Sequence, residues 1–148
     1  MQALKLLFGM LETSSVHWVL AGSFSLALQG IAVDPRDIDL MTDRRGAFRI
    51  NAILKNYEKK KVEYSETENA RSFFGVFEIE GVNVEVMGDY EEKQGNKWVS
   101  LSKRLVNPRI IKVDGMRIPV SPLEDQLISY RTSKRPKDAA KMGEISHR

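Results

Sequence analysis

Residues 16–41, VHWVLAGSFSLALQGIAVDPRDIDLM, decide the fold of this chain. A run of β-forming residues and an alternating segment predict two strands, over residues 16–21 and 37–41. Gly22-Ser23 ends the first strand, and residues 24–29 predict a short helix before the second. We therefore expect a strand, a helix and another strand in close succession.

Helical patterns lie on both sides of this stretch. An amphipathic run predicts a helix over residues 2–13, and residues 44–60 predict a surface helix that ends in the charge run 58–61, EKKK. Residues 121–124, SPLE, form a capping box that predicts a helix to about residue 132. A last helix is expected after Pro136.

Two hairpins complete the predicted elements. One joins residues 73–80 to 82–87 at Gly81, and the other joins 109–113 to 116–120 at Asp114-Gly115. Because helices and strands are intermixed along the chain, the fold class is predicted to be α+β, with a mixed β-sheet flanked by helices.

Length and composition fit a globular chain of 148 residues, 42% hydrophobic and 29% charged. We expect a single domain over residues 1–148, with its core at about 16–120 and C-terminal helices at about 121–146. No apolar run reaches the ~18 residues of a membrane helix. We therefore expect no membrane partner.

Cysteine and charge usage limit the chemistry further. The chain has no cysteine, which excludes a disulfide framework, a thiolate zinc site and a cysteine nucleophile, and favours a cytoplasmic setting. Residues 101–148 contain 11 basic and 5 acidic residues, whereas the first hundred contain 12 and 15. This basic segment suggests a phosphate-bearing partner, although a solvated surface is the better interpretation of composition alone.

The strongest chemical signal is the pair Asp37 and Asp39. Two residues apart on a strand, both carboxylates leave the same face, while Ile38 and Leu40 enter the core. Like charges repel, so their proximity indicates a cation between them, and hard divalent ions such as Mg²⁺ prefer oxygen ligands. The alternative is an exposed strand end whose aspartates cap neighbouring amides.

Two further features strengthen the metal interpretation. Gly22-Ser23 opens a predicted helix after a buried strand, and free backbone amides in such a turn suit a phosphate group. Glu85 lies on a later strand, on the face opposite Val84 and Val86, and offers a third carboxylate.

Together these residues resemble the nucleotidyltransferase superfamily of DNA polymerase beta. The matching residues are the strand followed by Gly22-Ser23, then Asp37-Ile38-Asp39-Leu40, then Glu85 within Val84-Glu85-Val86. Residues 120–124, VSPLE, and 134–138, KRPKD, resemble the branch that contains lincosamide nucleotidyltransferases and abortive-infection nucleotidyltransferase toxins. The resemblance covers about residues 16–140.

The resemblance implies transfer of a nucleotidyl group from a nucleoside triphosphate, such as ATP, to a hydroxyl acceptor, with release of pyrophosphate. The acceptor would be a small molecule or RNA. It implies two Mg²⁺ ions, for which Mn²⁺ could substitute. The implied catalytic and metal-binding residues are Asp37, Asp39 and Glu85. The implied nucleotide-binding residues are Gly22, Ser23, Arg36 and Lys137.

Three departures from the family pattern suggest alternatives. Val33 stands where relatives often carry Arg, Glu85 stands where they more often carry Asp, and only ten residues follow Asp138. We therefore expect acceptor recognition to involve a homodimer or a partner protein. The alternative function is a catalytically inactive nucleotide- or RNA-binding module, or a toxin–antitoxin component.

Two other stretches have an RNA-binding interpretation. Phe73, Phe74 and Phe77, near Arg71, could stack on bases as in sheet-based RNA binders, but their imperfect alternation favours packing within a hairpin. The basic residues of 131–141 could meet a nucleotide phosphate or an RNA backbone, or form an ordinary charged helix.

Overall fold

The computed structural model describes residues 1–123, in which four α-helices pack around an eight-stranded mixed sheet. The helices are α1 (Gln2–Leu11), α2 (Gly22–Leu28), α3 (Arg44–Ile53) and α4 (Lys103–Val106). The strands are β1 (Trp18–Ala21), β2 (Ile38–Thr42), β3 (Glu58–Glu66), β4 (Ala70–Ile79), β5 (Val82–Gln94), β6 (Lys97–Ser100), β7 (Arg109–Val113) and β8 (Met116–Val120). The predicted α+β class is confirmed.

The sheet places β2 and β1 at its centre. The strand order is β3-β4-β5-β2-β1-β8-β7, and β6 pairs with the far part of β5. β2 runs parallel to β5, and β1 runs parallel to β8, while the other pairs are antiparallel. The strands predicted within residues 16–41 therefore form the middle of the sheet.

One face of the sheet packs against α1 and α3 to form the main core. Ile38 and Leu40 of β2 lie opposite Val84 and Val86 of β5, and all four are fully buried. The helices cover them with a stripe of apolar side chains, namely Leu4, Leu7, Leu11, Ala47 and Ile50. Because strand residues alternate between faces, Asp39 and Glu85 must lie on the other side of the sheet.

The second face carries a smaller apolar cluster. Val19 and Ala21 of β1 and Met41 of β2 pack there with Leu101, which lies just before α4. This face therefore combines a buried apolar part with the strand positions at which the carboxylates occur.

Both predicted hairpins are confirmed. The Asp114-Gly115 turn joins β7 and β8, and its φ values are 48° and 78°. The Glu80-Gly81 turn joins β4 and β5, and its φ values are 51° and 75°. Two consecutive positive φ angles define the turn whose twist matches a two-residue hairpin. The bounds of β7 and β8 agree with the prediction, whereas β4 and β5 are longer than predicted.

The helix predicted over residues 44–60 is wrong in its second half. α3 ends at Ile53, a 3-10 turn follows at Lys55–Tyr57, and the charge run begins β3. The Asn51 side chain holds this junction, because it donates to Glu58 at 2.7 Å and accepts from the Val62 amide at 2.6 Å. β3 is an edge strand on which lysines remain solvated, so its sequence lacks a strand alternation.

The predicted helices from Ser121 to about residue 132 and after Pro136 lie outside the described residues, except for Ser121–Leu123. β6 and α4 were not predicted. Across residues 1–123, no helix is both long enough and apolar enough to cross a membrane.

Candidate active site

Asp39 and Glu85 lie side by side on the face opposite the main core. They are direct register partners in the parallel pair of β2 and β5. Neighbouring strands are about 4.8 Å apart, and register partners point to the same side of a sheet. Both residues are partly buried. The sheet therefore holds two carboxylates next to each other at its centre.

The positions that flank this pair are apolar. Asp39 lies opposite Ala21 of β1, and Glu85 lies opposite Val76 of β4. The strand positions directly beside the pair, Ala21 and Val76, thus carry no charge. Two neighbouring carboxylates repel each other, so this pair favours the binding of a cation.

Gly22 fits against the carboxylate of Asp39. A Cβ atom at residue 22 would lie 2.0 Å from Asp39 Oδ2 and 3.0 Å from Asp39 Cγ, and the φ of Gly22 is +66°. Glycine is therefore required at residue 22 for two reasons: it adopts this φ without strain, and it leaves room for the Asp39 carboxylate. The turn after β1 and the centre of β2 form one contiguous surface.

Asp37 and Glu85 make no hydrogen bond or ion pair within the described part of the chain. Asp37 immediately precedes β2 and is partly buried. Two partly buried carboxylates without a protein cation can ligate a metal ion or accept a proton. The site thus offers hard oxygen donors in the setting that Mg²⁺ prefers.

The donor set fits a metal that shares its coordination with substrate. Residues 1–123 contain no group of three Asp, Glu or His side chains that converges as a ready-made metal site. Mg²⁺ is commonly held by one or two carboxylates, with waters and substrate phosphates completing its shell. Asp39 with Glu85 satisfies that requirement with oxygen ligands alone, and Asp37 lies two residues before Asp39.

The predicted nucleotide-binding residues lie in different surroundings. Gly22 and Ser23 begin α2 beside Asp39. The Arg36 side chain is 84% exposed and lies 3.9 Å from Asp34. Lys137 lies outside the described residues. The geometry thus groups the Gly22-Ser23 turn with Asp39.

Arg104 is a residue that the sequence analysis missed. It is the second residue of α4, is 6% exposed, and places Nη1 3.8 Å from the sulfur of Met41. Met41 is two residues beyond Asp39 on the same face, so a buried guanidinium lies near the carboxylates. No local signal marks it, because the segment that contains it has no motif and its burial depends on strand packing.

Comparison with known proteins assigns this fold to a class of enzymes, the nucleotidyltransferases. The crystal structure of a Thermotoga maritima protein, named as a proposed nucleotidyltransferase, superposes with a TM-score of 0.85 and 34% identity. The match covers 99% of this chain and 92% of that chain. The predicted superfamily is confirmed.

The particular family is that of the aminoglycoside-2''-adenylyltransferases, whose model matches residues 3–145, and the chain belongs to it. The crystal structure of ANT(2'')-Ia in complex with adenylyl-2''-tobramycin shares the fold, with a TM-score of 0.60 and 10% identity over 99% of this chain and 88% of that chain. A search of curated proteins found no match.

Proposed function

We propose that the chain transfers a nucleotidyl group from a nucleoside triphosphate, ATP first among them, to a hydroxyl of an acceptor. The acceptor oxygen forms a bond to the α-phosphorus, the bond from that phosphorus to the bridging oxygen breaks, and pyrophosphate leaves. Nucleotidyl transfer is the activity of the family. The observation that carries the proposal is the register pairing of Asp39 with Glu85 beside Gly22.

We assign the metal-binding role to Asp37, Asp39 and Glu85, which would hold two Mg²⁺ ions, or Mn²⁺ in their place. Such ions, when bound, neutralise the triphosphate and lower the pKa of the attacking hydroxyl. Asp39 is the central ligand in this proposal because it lies between Gly22 and Glu85. Pairing with Ala21 on one side and Glu85 on the other holds the backbone of Asp39 within the sheet.

The other residues bind the nucleotide and receive a proton. The backbone and hydroxyl of Gly22-Ser23 are assigned to the phosphates, because this turn adjoins the Asp39 carboxylate. Glu85 is assigned to the proton that the acceptor hydroxyl loses, since no hydrogen bond or ion pair within residues 1–123 engages its carboxylate. Arg36 and Lys137 remain predicted phosphate contacts.

The first acceptor class to test is the aminoglycosides, which the family description names. Their amino groups are cationic and suit a face that presents carboxylates at Asp37, Asp39 and Glu85. Charge complementarity of this kind guides a ligand to its site more than it adds affinity. A hydroxyl on such a ligand would supply the attacking oxygen.

The test measures pyrophosphate release and label transfer from α-labelled ATP with Mg²⁺ and a panel of aminoglycosides. Asp39→Asn and Glu85→Gln should each lower turnover by at least about 100-fold, because removing a metal ligand costs more than the 10–100-fold of an outer-shell change. Glu63→Gln, an exposed carboxylate on β3, is the matched control and should retain full turnover. Equal turnover in all variants would contradict the assignment.

A second candidate function is nucleotide binding without transfer. The observation that favours it is the lack of a converged three-carboxylate group within residues 1–123. Val33, which departs from the pattern that the resemblance to the superfamily implies, points the same way. Calorimetric binding of ATP, without release of pyrophosphate from ATP in the presence of any acceptor tested, would select this function over the first.

A further inference from the structure

Helix α3 presents an arginine-rich surface on the side of the sheet opposite Asp39 and Glu85. Ala47 and Ile50 are its buried residues in the main core. The outward face carries four exposed side chains, Arg44, Arg45, Phe48 and Arg49. We call these four residues, together with Tyr64 and Phe73, the α3 surface.

The segment that contains α3 is strongly positive, whereas the rest of the first hundred residues is acidic. Residues 43–64 contain seven basic and three acidic side chains, whereas the first hundred residues contain 12 and 15. Within the described residues, Arg45 and Arg49 have no carboxylate at ion-pair distance. Two guanidinium groups one helical turn apart are thus available to an anion from outside.

In the part of the chain that the structure describes, the nearby carboxylates accept hydrogen bonds from backbone amides of α3 and do not pair with its arginine side chains. Asp43 caps α3 by accepting from the Gly46 amide at 2.6 Å. Asp89 accepts from the backbone amide of Arg44 at 3.0 Å. Their charges face the start of the helix, so they do not neutralise the side chains of Arg45 and Arg49.

Aromatic rings are interleaved with these arginines. The Phe73 ring lies 5.8 Å from the Phe48 ring, 5.6 Å from the Tyr64 ring and 4.8 Å from the Arg44 guanidinium carbon. Phe48 is 44% exposed and Tyr64 is 54% exposed. Exposed rings beside unpaired arginines are the combination that binds bases and phosphates together.

A cavity of about 420 Å³ continues from these rings. Its lining is polar and aromatic and consists of Tyr64, Arg71, Ser72, Phe73, Asp89, Glu91, Ser100 and Ser102. Arg71 is bound by Glu91 and stacks on the Trp98 ring at 4.3 Å, so the cavity itself has no free positive charge for a phosphate. Its carboxylates and hydroxyls instead suit the amino and carbonyl groups of a base edge.

We propose that the α3 surface binds single-stranded nucleic acid. Bases stack on Phe48 and Tyr64, one of them reaching the adjoining cavity, while Arg45 and Arg49 contact the phosphates. A duplex is disfavoured because its bases are already stacked and cannot lie on exposed rings. An acidic protein would satisfy the arginines but not the rings. This binding is independent of the proposed transferase activity, because it uses the other side of the sheet.

The test measures binding of a fluorescein-labelled 12-nucleotide RNA without self-complementarity by anisotropy, with neither ATP nor metal, across a salt series. Arg45→Gln/Arg49→Gln should lower the magnitude of the slope of log K against log salt by about 1 to 2, since each lost phosphate contact contributes about 0.7. Phe48→Ala and Tyr64→Ala should each weaken binding about 5-fold or more, with a smaller change in that slope.

Matched controls use the opposite edge of the sheet. Lys112→Gln/Arg117→Gln removes two exposed charges on β7 and β8, and Ile110→Ala truncates a side chain that is 44% exposed. Both controls should bind the RNA as the unmodified chain does. The proposal is overturned if the unmodified chain does not bind RNA, or if the controls weaken binding equally. Equal binding of a duplex of the same length, or of polyglutamate, also overturns it.

Discussion

Gly22 is the residue on which the geometry of the carboxylate face depends most directly. Its φ is +66°, and the space that a Cβ would take is filled by Asp39 Oδ2 at 2.0 Å. A substitution there therefore imposes backbone strain and displaces a carboxylate at the same time. These two effects can be separated, because other glycines in the chain show only the first.

We predict that Gly22→Ala destabilises the fold more than Gly81→Ala does. Left-handed backbone costs a residue with a Cβ about 1–2 kcal/mol, and both positions have positive φ. At Gly81 nothing lies within 4 Å of an added Cβ, so only the strain remains. Urea denaturation gives the two free energies of unfolding, and equal losses would show that Asp39 does not press on Gly22.

The residues of the candidate site differ in how far their sequence reveals them. Asp37, Asp39 and Gly22-Ser23 lie within one stretch, and alternation alone indicates which carboxylates share a face. Glu85 reaches the site only because β5, which is distant in sequence, pairs with β2. No local signal in the sequence indicates that pairing. Arg104 was missed because its burial against Met41 depends entirely on tertiary packing.

At the scale of elements, the junction between α3 and β3 is held by a single amide side chain. Asn51 donates to Glu58 and accepts from the amide of Val62, which is 5% exposed. Without it, a backbone donor next to the core would lose its partner. This contact explains why the helix predicted to reach residue 60 ends before the lysine run.

We predict that Asn51→Ala lowers the free energy of unfolding by about 1–3 kcal/mol, the cost of leaving a buried donor unsatisfied. Asn56→Ala is the matched control, because Asn56 is exposed and lies in the 3-10 turn. Urea denaturation compares the two. A loss at Asn56 as large as that at Asn51 would contradict this account of the junction.

The same junction predicts a pH dependence. The hydrogen bond from Asn51, and then the proximity of Lys55, hold the pKa of Glu58 below its ordinary value of 4.5. A carboxyl with a lowered folded-state pKa stabilises the fold above 4.5, and this contribution is lost as the pH falls through the lowered value. Glu58→Gln should therefore destabilise the chain at neutral pH and approach the unmodified chain in acid. A difference in stability that grows below pH 4.5 would contradict this assignment.

Elements whose conformation is set by their own residues could be predicted from the sequence, whereas elements that depend on pairing with a distant strand could not. The Asp114-Gly115 hairpin was located with its bounds, because the turn residues themselves require positive φ. β3 was missed, because its strand conformation comes from pairing with β4 at a solvated edge. β6 is a short extension that exists only where the far part of β5 offers a partner.

At the scale of the whole molecule, the sheet separates two charged surfaces. Asp39 and Glu85 occupy one face, and the α3 surface lies over the other. The net charge of +3 sums 23 basic and 20 acidic residues and does not reveal where the two surfaces lie. Their separation is visible only once the strand order is known.

We predict that the two surfaces act independently. Arg45→Gln/Arg49→Gln should leave ATP affinity unchanged while weakening RNA binding, and Asp39→Asn should do the reverse, because sites that share no contacts contribute additively. Calorimetry with ATP and anisotropy with the labelled RNA measure both properties in each variant. Loss of both properties in one folded variant would show that the surfaces are coupled.

Asp39 and Glu85 are proposed to form a metal-dependent nucleotide site, and calorimetry with a non-hydrolysable ATP analogue can test this proposal without turnover. With Mg²⁺, the unmodified chain should bind the analogue at least about 10-fold more tightly than Asp39→Asn or Glu85→Gln does. With EDTA this advantage should vanish. Without a bound metal ion the carboxylates of the unmodified chain only repel the triphosphate, and each substitution removes one of these negative charges. Equal affinity with Mg²⁺ and EDTA, or equal affinity of all three proteins with Mg²⁺, would contradict the proposal.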